Sequence, residues 1–137
     1  MDKDIKSKLR FINYQIKEVI LKQNDKFTND KDEIDIDFDL KHITHISDNR
    51  MKIELEIIIF DNAEEKNYPF YMKTVLEGSF AIEGEDIEKF EINGISLLYP
   101  YVRAIISTYT ANSNIPTLIL PPINVIEYYK NRKELEN

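Results

Sequence analysis

Ile115-Pro116-Thr117-Leu118-Ile119-Leu120-Pro121-Pro122-Ile123-Asn124 is the stretch around which this chain of 137 residues is organised. None of its side chains is charged, and Pro116, Pro121 and Pro122 each lack a backbone donor and hold φ near about −65°. The residue before each proline (Ile115, Leu120 and Pro121) is also pushed out of the α region, so the stretch runs extended. An extended apolar segment must cover something. Two readings follow: it seals the chain's own core, or it walls a groove for an apolar guest.

Helices flank it on both sides. Asn93 reads as the cap of a main helix from about Ile95 to Ala111, with Leu98, Val102, Ile105, Ile106 and Tyr109 on one stripe. Pro100 falls within its first turn or so, where a missing donor costs least, and Glu85 to Phe90 reads as a separate short turn. Asn124 caps a last helix, Val125 to about Leu135. Upstream, Leu9 to Leu21, Glu33 to Leu40, Met51 to Phe60 and Tyr68 to Glu83 read as strands. Glu33 to Leu40 alternates Ile34, Ile36, Phe38 and Leu40 against four acids, the pattern of a strand wet on one side. The polar loop Lys22 to Asp32, the turn Ser47-Asp48-Asn49-Arg50 and the hairpin Asp61 to Asn67 separate the strands, and Gly78 marks a bulge or close approach. The fold class expected is α+β in one domain over 1–137. A four-stranded antiparallel meander (about 9–83) precedes a long helix, crossover loop and short C-terminal helix (about 85–135).

Composition excludes several classes of function. The net charge of −7 disfavours nucleic acid and anionic membrane as partners. No cysteine is present, which removes disulfides, thiolate catalysis and Cys-ligated zinc. The start Met1-Asp2-Lys3-Asp4-Ile5-Lys6 has no apolar core, and no apolar run approaches the ~18 residues of a membrane span. A soluble, cytoplasmic protein is expected. His42 and His45 point to opposite sides of a strand, and Asp35, Asp37 and Asp39 form a solvated face, so no metal or cofactor is expected. Gly78, Gly84 and Gly94 are isolated, so there is no phosphate loop. No catalytic constellation emerges, and Arg103 reads as a helix rim contact.

Three motifs carry a resemblance. Gly78-Ser79-Phe80-Ala81-Ile82-Glu83-Gly84 resembles the G-x-F-x-I-x-G strand end of the SecB family of export chaperones. Leu98-Tyr99-Pro100-Tyr101-Val102-Arg103 is similar to that family's L-F-P-Y-A-R helix motif, and Ile115 to Asn124 to its F-P-x-L-x-L-x-P-x-N-F loop. They occur in the family's order and at its separations, and the match runs from about 9 to 130.

The resemblance implies an ATP-independent holdase, not an enzyme, assembled as a homotetramer from a dimer of dimers with the long helices at the interface. Its partners would be unfolded polypeptides held between crossover loop and sheet, or an antitoxin, since SecB-like proteins also serve toxin–antitoxin modules. Leu118, Leu120, Pro122 and Ile123, with Phe60 and Tyr71 from the late strands, are the expected client surface. Ile95, Tyr99, Ile106 and Tyr109 are the expected subunit interface, being more apolar surface than one sheet can cover. The chain departs from the family where other members offer acids to the motor SecA. Glu18 survives, but the neighbouring acidic positions fall on Lys22 and Lys73, which puts SecA in doubt as a partner. Gly94-Ile95 also stands where the family has Cys-Pro before the long helix.

Overall fold

The computed structural model describes residues 8–30 and 33–136. Lys31 and Asp32 of the expected loop lie outside them, as do residues 1–7 and 137. Strands β1 (Lys8–Gln23), β2 (Phe38–Ser47), β3 (Arg50–Ile59) and β4 (Phe70–Glu83) form one antiparallel sheet. A single turn of helix α1 (Ala63–Lys66) lies between β3 and β4, and α2 (Ile87–Ala111) and α3 (Val125–Glu136) follow.

The α+β class holds, but the sheet is not a simple meander. Its spatial order is β1-β4-β3-β2, a Greek-key arrangement in which the first strand returns beside the last. Burial explains the choice. The helix-facing side of β4 is buried throughout and its other side is half-buried, so β4 needs neighbours on both edges. β2 is the opposite: mostly exposed, it sits at an edge.

Register moves β2 along the chain. The hairpin sets Ser47 opposite Arg50, and counting back along the ladder pairs Phe38 with Ile59. There β3 stops, because Phe60 takes a left-handed φ of 56°. The residues before Phe38 have no strand to pair with, so Ile34 and Ile36 pack on the core as irregular chain, not as the strand expected at Glu33 to Leu40.

β1 alternates imperfectly because it carries two bulges. Its register against β4 slips between Phe11 and Asn13 and again between Ile16 and Glu18. Each extra residue, Ile12 and Lys17, resets the parity, so Leu9, Phe11, Tyr14, Ile16, Val19 and Leu21 all share the side of Phe80, Leu76 and Met72.

α2 is one continuous helix, where a short turn and a separate helix capped by Asn93 were expected. Asp86 is the cap, its carboxylate accepting from the Lys89 N–H at 3.2 Å. Pro100 therefore lies in mid-helix, not in the first turn, and stays exposed. Gly94 is tolerated inside because the helix lies flush on the sheet: a Cβ there would stand 2.5 Å from Ile53 Cδ1. Gly78 is the reciprocal contact on β4, where a Cβ would stand 2.5 Å from Leu98 Cδ2. It is a close approach and not a bulge. Around these contacts Ile53, Leu55, Ile57, Leu76, Phe80, Ile95, Leu98, Val102 and Ile106 are fully buried.

This packing makes a coupled pair of positions. Gly78→Ala should cost about 1–3 kcal/mol by overpacking, and Leu98→Ala about 2–5 kcal/mol by leaving a cavity. Together they should cost clearly less than the sum, because the new methyl occupies space the leucine vacates. Urea unfolding of the three variants measures the coupling.

Candidate functional site

The crossover segment 115–124 is extended and lies along α2. One face of α2 reads its backbone. Tyr99 donates from Oη to the Pro121 carbonyl at 2.6 Å, Arg103 from Nε to Leu120 O at 2.9 Å, and Ser107 from Oγ to Leu118 O at 2.9 Å. Thr110 Oγ1 accepts the Leu118 N–H at 2.9 Å and itself donates to Ile106 O. Residues 99, 103, 107 and 110 follow one helical stripe, so a single rigid element positions all four groups. Burial raises the Tyr99 phenol above its usual range, with Arg103 opposing, which keeps Tyr99 a donor.

The clamp holds main chain and leaves alternate side chains to choose sides. Leu120 is fully buried, Leu118 and Ile123 are half-buried, and Ile119 projects with 66% of its surface exposed. Pro121 and Pro122 are exposed beside it. The expected client residues are thus divided. Pro122 is exposed, Leu118 and Ile123 are half-buried and pack against the core, and Leu120 belongs to the core itself. Phe60 is buried against Tyr68 and Phe70, with ring centroids 4.7 and 5.1 Å away. Tyr71 sits on the other face of β4 from Met72 and lines a separate cavity with Lys22, Asp61 and Glu64. Phe60 belongs to the same buried cluster as Leu120, and Tyr71 packs against that cluster.

The expected interface residues divide as well. Ile95 and Ile106 are fully buried within the subunit and Tyr99 nearly so, while Tyr109 faces outward. The exposed large apolar side chains of α2 are Leu97, Tyr101 and Tyr109. Tyr101 stacks obliquely on Tyr14 and Phe11 of β1, at 4.7 and 5.7 Å, beside the exposed Ile12 and Ile16.

A polar hub, missed in the sequence, fastens α3. Glu91 accepts from Thr44 Oγ1 at 2.8 Å and from Tyr129 Oη at 2.9 Å, and its Oε2 lies 3.4 Å from His42 Nε2. His42 Nδ1 is 2.7 Å from Tyr128 Oη, and Arg132 donates to the Leu40 carbonyl of β2. Hydrogen bonding from His42, then from Thr44 and Tyr129, holds the Glu91 carboxyl at about 2 in spite of its partial burial. His42 is therefore a structural partner. Only the fold could reveal this, because Thr44, Glu91 and Tyr129 are far apart in sequence and share no periodicity. Among the described residues, no group of acids and histidines could hold a metal ion.

On the outer face of the sheet Lys73 lies 3.1 Å from Glu18 and 3.6 Å from Glu56, which raises its pKa, chiefly through the Glu18 hydrogen bond. Among the described residues, no helix is long and apolar enough to cross a membrane.

With this geometry in view, comparison with known proteins decides the family. The family described as preprotein translocase subunit SecB matches residues 7–136. The chain belongs to the SecB family. An uncharacterized protein of Methanocaldococcus jannaschii is 35% identical over 99% of this SecB-family chain and 92% of its own. The protein-export protein SecB of Alcanivorax borkumensis is 33% identical over 61% of this chain and 55% of its own, so the match spans about half of that relative. Among solved structures, a SecB-like chaperone of Mycobacterium tuberculosis in complex with a ChAD peptide from the HigA1 antitoxin superposes with a TM-score of 0.64. It is 14% identical, over 85% of this chain and 88% of that one, and so supports the SecB-like fold. A protein of unknown function from Streptococcus agalactiae shares the fold at a TM-score of 0.52 and 12% identity, over 85% of this chain and 98% of its own.

The hub gives a pH signature. A carboxyl held at about 2, below its ordinary 4.5, adds stability that is present above pH 4.5 and lost as pH falls through 2. Glu91→Gln should lower stability at neutral pH by a few kcal/mol. The gap to the parent should close as pH approaches 2, read from urea midpoints across an acid series.

Proposed function

We propose that this SecB-family protein is an ATP-independent holdase that binds unfolded polypeptide along the crossover segment. One observation carries the reading: the segment is clamped to α2 through its main chain while Ile119, Pro121 and Pro122 stay exposed. A wall already held extended loses little entropy when a client settles on it, and an uncharged apolar wall selects for exposed hydrophobic chain over sequence. The role is binding, with no catalytic step and no cofactor.

Assembly into a homotetramer is part of the proposal. Leu97, Tyr101 and Tyr109 of α2, with Ile12, Tyr14 and Ile16 of β1, expose more large apolar side chains than a free subunit ordinarily tolerates. Several grooves on one particle would add avidity. The cytoplasm is the compartment proposed, where unfolded chains emerge. Lys73, engaged by Glu18 and Glu56, stands where SecA would meet an acid, so docking of that motor is not part of the role.

A second reading is a chaperone dedicated to one antitoxin. What favours it is the shared fold with the mycobacterial chaperone held on its antitoxin peptide. Client breadth separates the two: a general holdase suppresses aggregation of several unrelated unfolded proteins, whereas a dedicated one protects only its partner.

The test contrasts two neighbouring leucine-class positions. Ile119→Ser, on the exposed side, should leave stability within about 0.5 kcal/mol and weaken aggregation suppression. Leu120→Ser, in the core, should cost about 3 kcal/mol or more and lose activity only through unfolding. Full holdase activity in a stably folded Ile119→Ser/Pro122→Ser variant would remove the crossover segment from client binding. Light scattering of the parent should report a tetramer at micromolar concentration, and a monomer would overturn the assembly.

A further inference from the structure

β2 lies at the edge of the sheet, with β3 on one side and no strand on the other. The register shows which of its main-chain groups face the open side. The Phe60 N–H donates to the Asp37 carbonyl at 2.8 Å, so these two form a hydrogen-bonded pair in line with the β2–β3 ladder. Such pairs alternate along an antiparallel ladder. Asp39, Lys41, Ile43, His45 and Ser47 therefore turn their N–H and C=O groups to β3, and Leu40, His42, Thr44 and Ile46 turn theirs outward. Arg132 donates to the Leu40 carbonyl, as this parity requires. Among the described residues, no main-chain group pairs with those of His42, Thr44 or Ile46.

The two edges of the sheet differ. β1 is bulged at two places, whereas β2 runs in unbroken register from Phe38 to Ser47. A regular edge of evenly spaced donors and acceptors is a template for another extended chain. Arg132 closes it at Leu40 and the turn to Arg50 closes it beyond Ser47, which leaves His42 to Ile46 open. There is room on both faces beside this same edge. Between β2 and α3 a cavity of about 470 Å³ is lined by His42, Thr44 and Ile46 and by Tyr129, Arg132 and Lys133. On the opposite face a cavity of about 220 Å³ is lined by Lys41, Ile43 and Glu54 among others. An added strand sends alternate side chains to the two faces, so each set has a space to enter.

We infer that an extended segment of unfolded polypeptide adds to β2 as a fifth strand, pairing through main-chain hydrogen bonds with His42, Thr44 and Ile46. The inference rests on the holdase reading and gives the client a second contact, distinct from the crossover segment. Main-chain groups are the same in every polypeptide, so this contact suits a binder that accepts many sequences. It selects by conformation instead. A client stretch that is already helical, or that carries proline, lacks the free donors the edge requires. Arg132 sets the point on β2 where pairing stops.

The probes are a fluorescein-labelled extended Leu/Phe/Thr peptide and the same peptide N-methylated at two adjacent central residues, which removes a donor from each of its edges. By fluorescence anisotropy with the full-length protein, the methylated peptide should bind about tenfold more weakly. On the protein, Ile46→Pro removes an outward donor that the β2–β3 ladder does not use, so the thermal midpoint should stay near the parent's. It should weaken the unmethylated peptide by about three- to tenfold, whereas Ile46→Ala, which keeps the donor, should weaken it less. Saturating peptide should slow amide exchange at His42 and Thr44. Equal binding of the two peptides, equal effects of the two Ile46 variants, or unchanged exchange at His42 and Thr44 overturns the inference and leaves the crossover segment as the client site. The methylation and exchange measurements decide the matter even where Ile46→Pro fails to fold. Loss of the oligomer in a folded Ile46→Pro would show that β2 pairs with a second copy of the chain, and would overturn the inference too. Failure of the unmethylated peptide to bind the parent would overturn the holdase reading itself and the inference with it.

Discussion

Everything that α2 does depends on how closely it lies on the sheet. Gly94 brings the helix backbone down onto Ile53, and Gly78 opens β4 for Leu98. With that separation set, the helix crosses from the β2 side, where Glu91 meets His42 and Thr44, towards β1, where Tyr101 meets Tyr14. A side chain at either glycine would lift the helix and spoil both ends together, because a packed core transmits displacement rather than absorbing it. Pro100 in the middle removes one backbone hydrogen bond, a loss the surrounding contacts tolerate.

The crossover segment depends on the same helix in a different way. Proline-rich extended chain cannot satisfy its own carbonyls, and a strand ladder is closed to it at three positions. Tyr99, Arg103 and Ser107 supply the missing donors at a spacing that matches the segment's carbonyls from Leu118 to Pro121. Since the backbone is held and the side chains are not, Leu120 can turn into the core while Ile119 turns out. The segment therefore covers core at Leu120 and presents apolar surface at Ile119, residue by residue.

α3 is fastened by polar groups more than by apolar packing. Tyr129 is its buried anchor, whereas Ile126 and Leu135 are largely exposed. Its polar attachments include Tyr129 on Glu91, Tyr128 on His42, and Arg132 on the Leu40 carbonyl and Asp39. Such directional bonds fix orientation well, and they leave Arg132 and Lys133 displayed beside the cavity.

The sequence alone determined the class of fold, the family and the crossover segment, because these rest on local properties. Proline fixes φ wherever it stands, period-two alternation marks β3, and the spacing of three motifs is a linear measurement. It misplaced β2 because Ile34 and Ile36 alternate as a strand does, and only the hairpin register and the end of β3 at Phe60 show that no partner remains for them. It divided α2 in two because Asn93 and Gly94 look like a boundary until the sheet beneath accounts for the glycine. Ile95 and Ile106 seemed surplus to the core for a related reason: how much apolar surface a sheet covers depends on how closely the helix approaches it. The Glu91 hub and the four-residue clamp were decided by tertiary structure entirely, since a hydrogen bond between distant residues leaves no periodic trace in the chain.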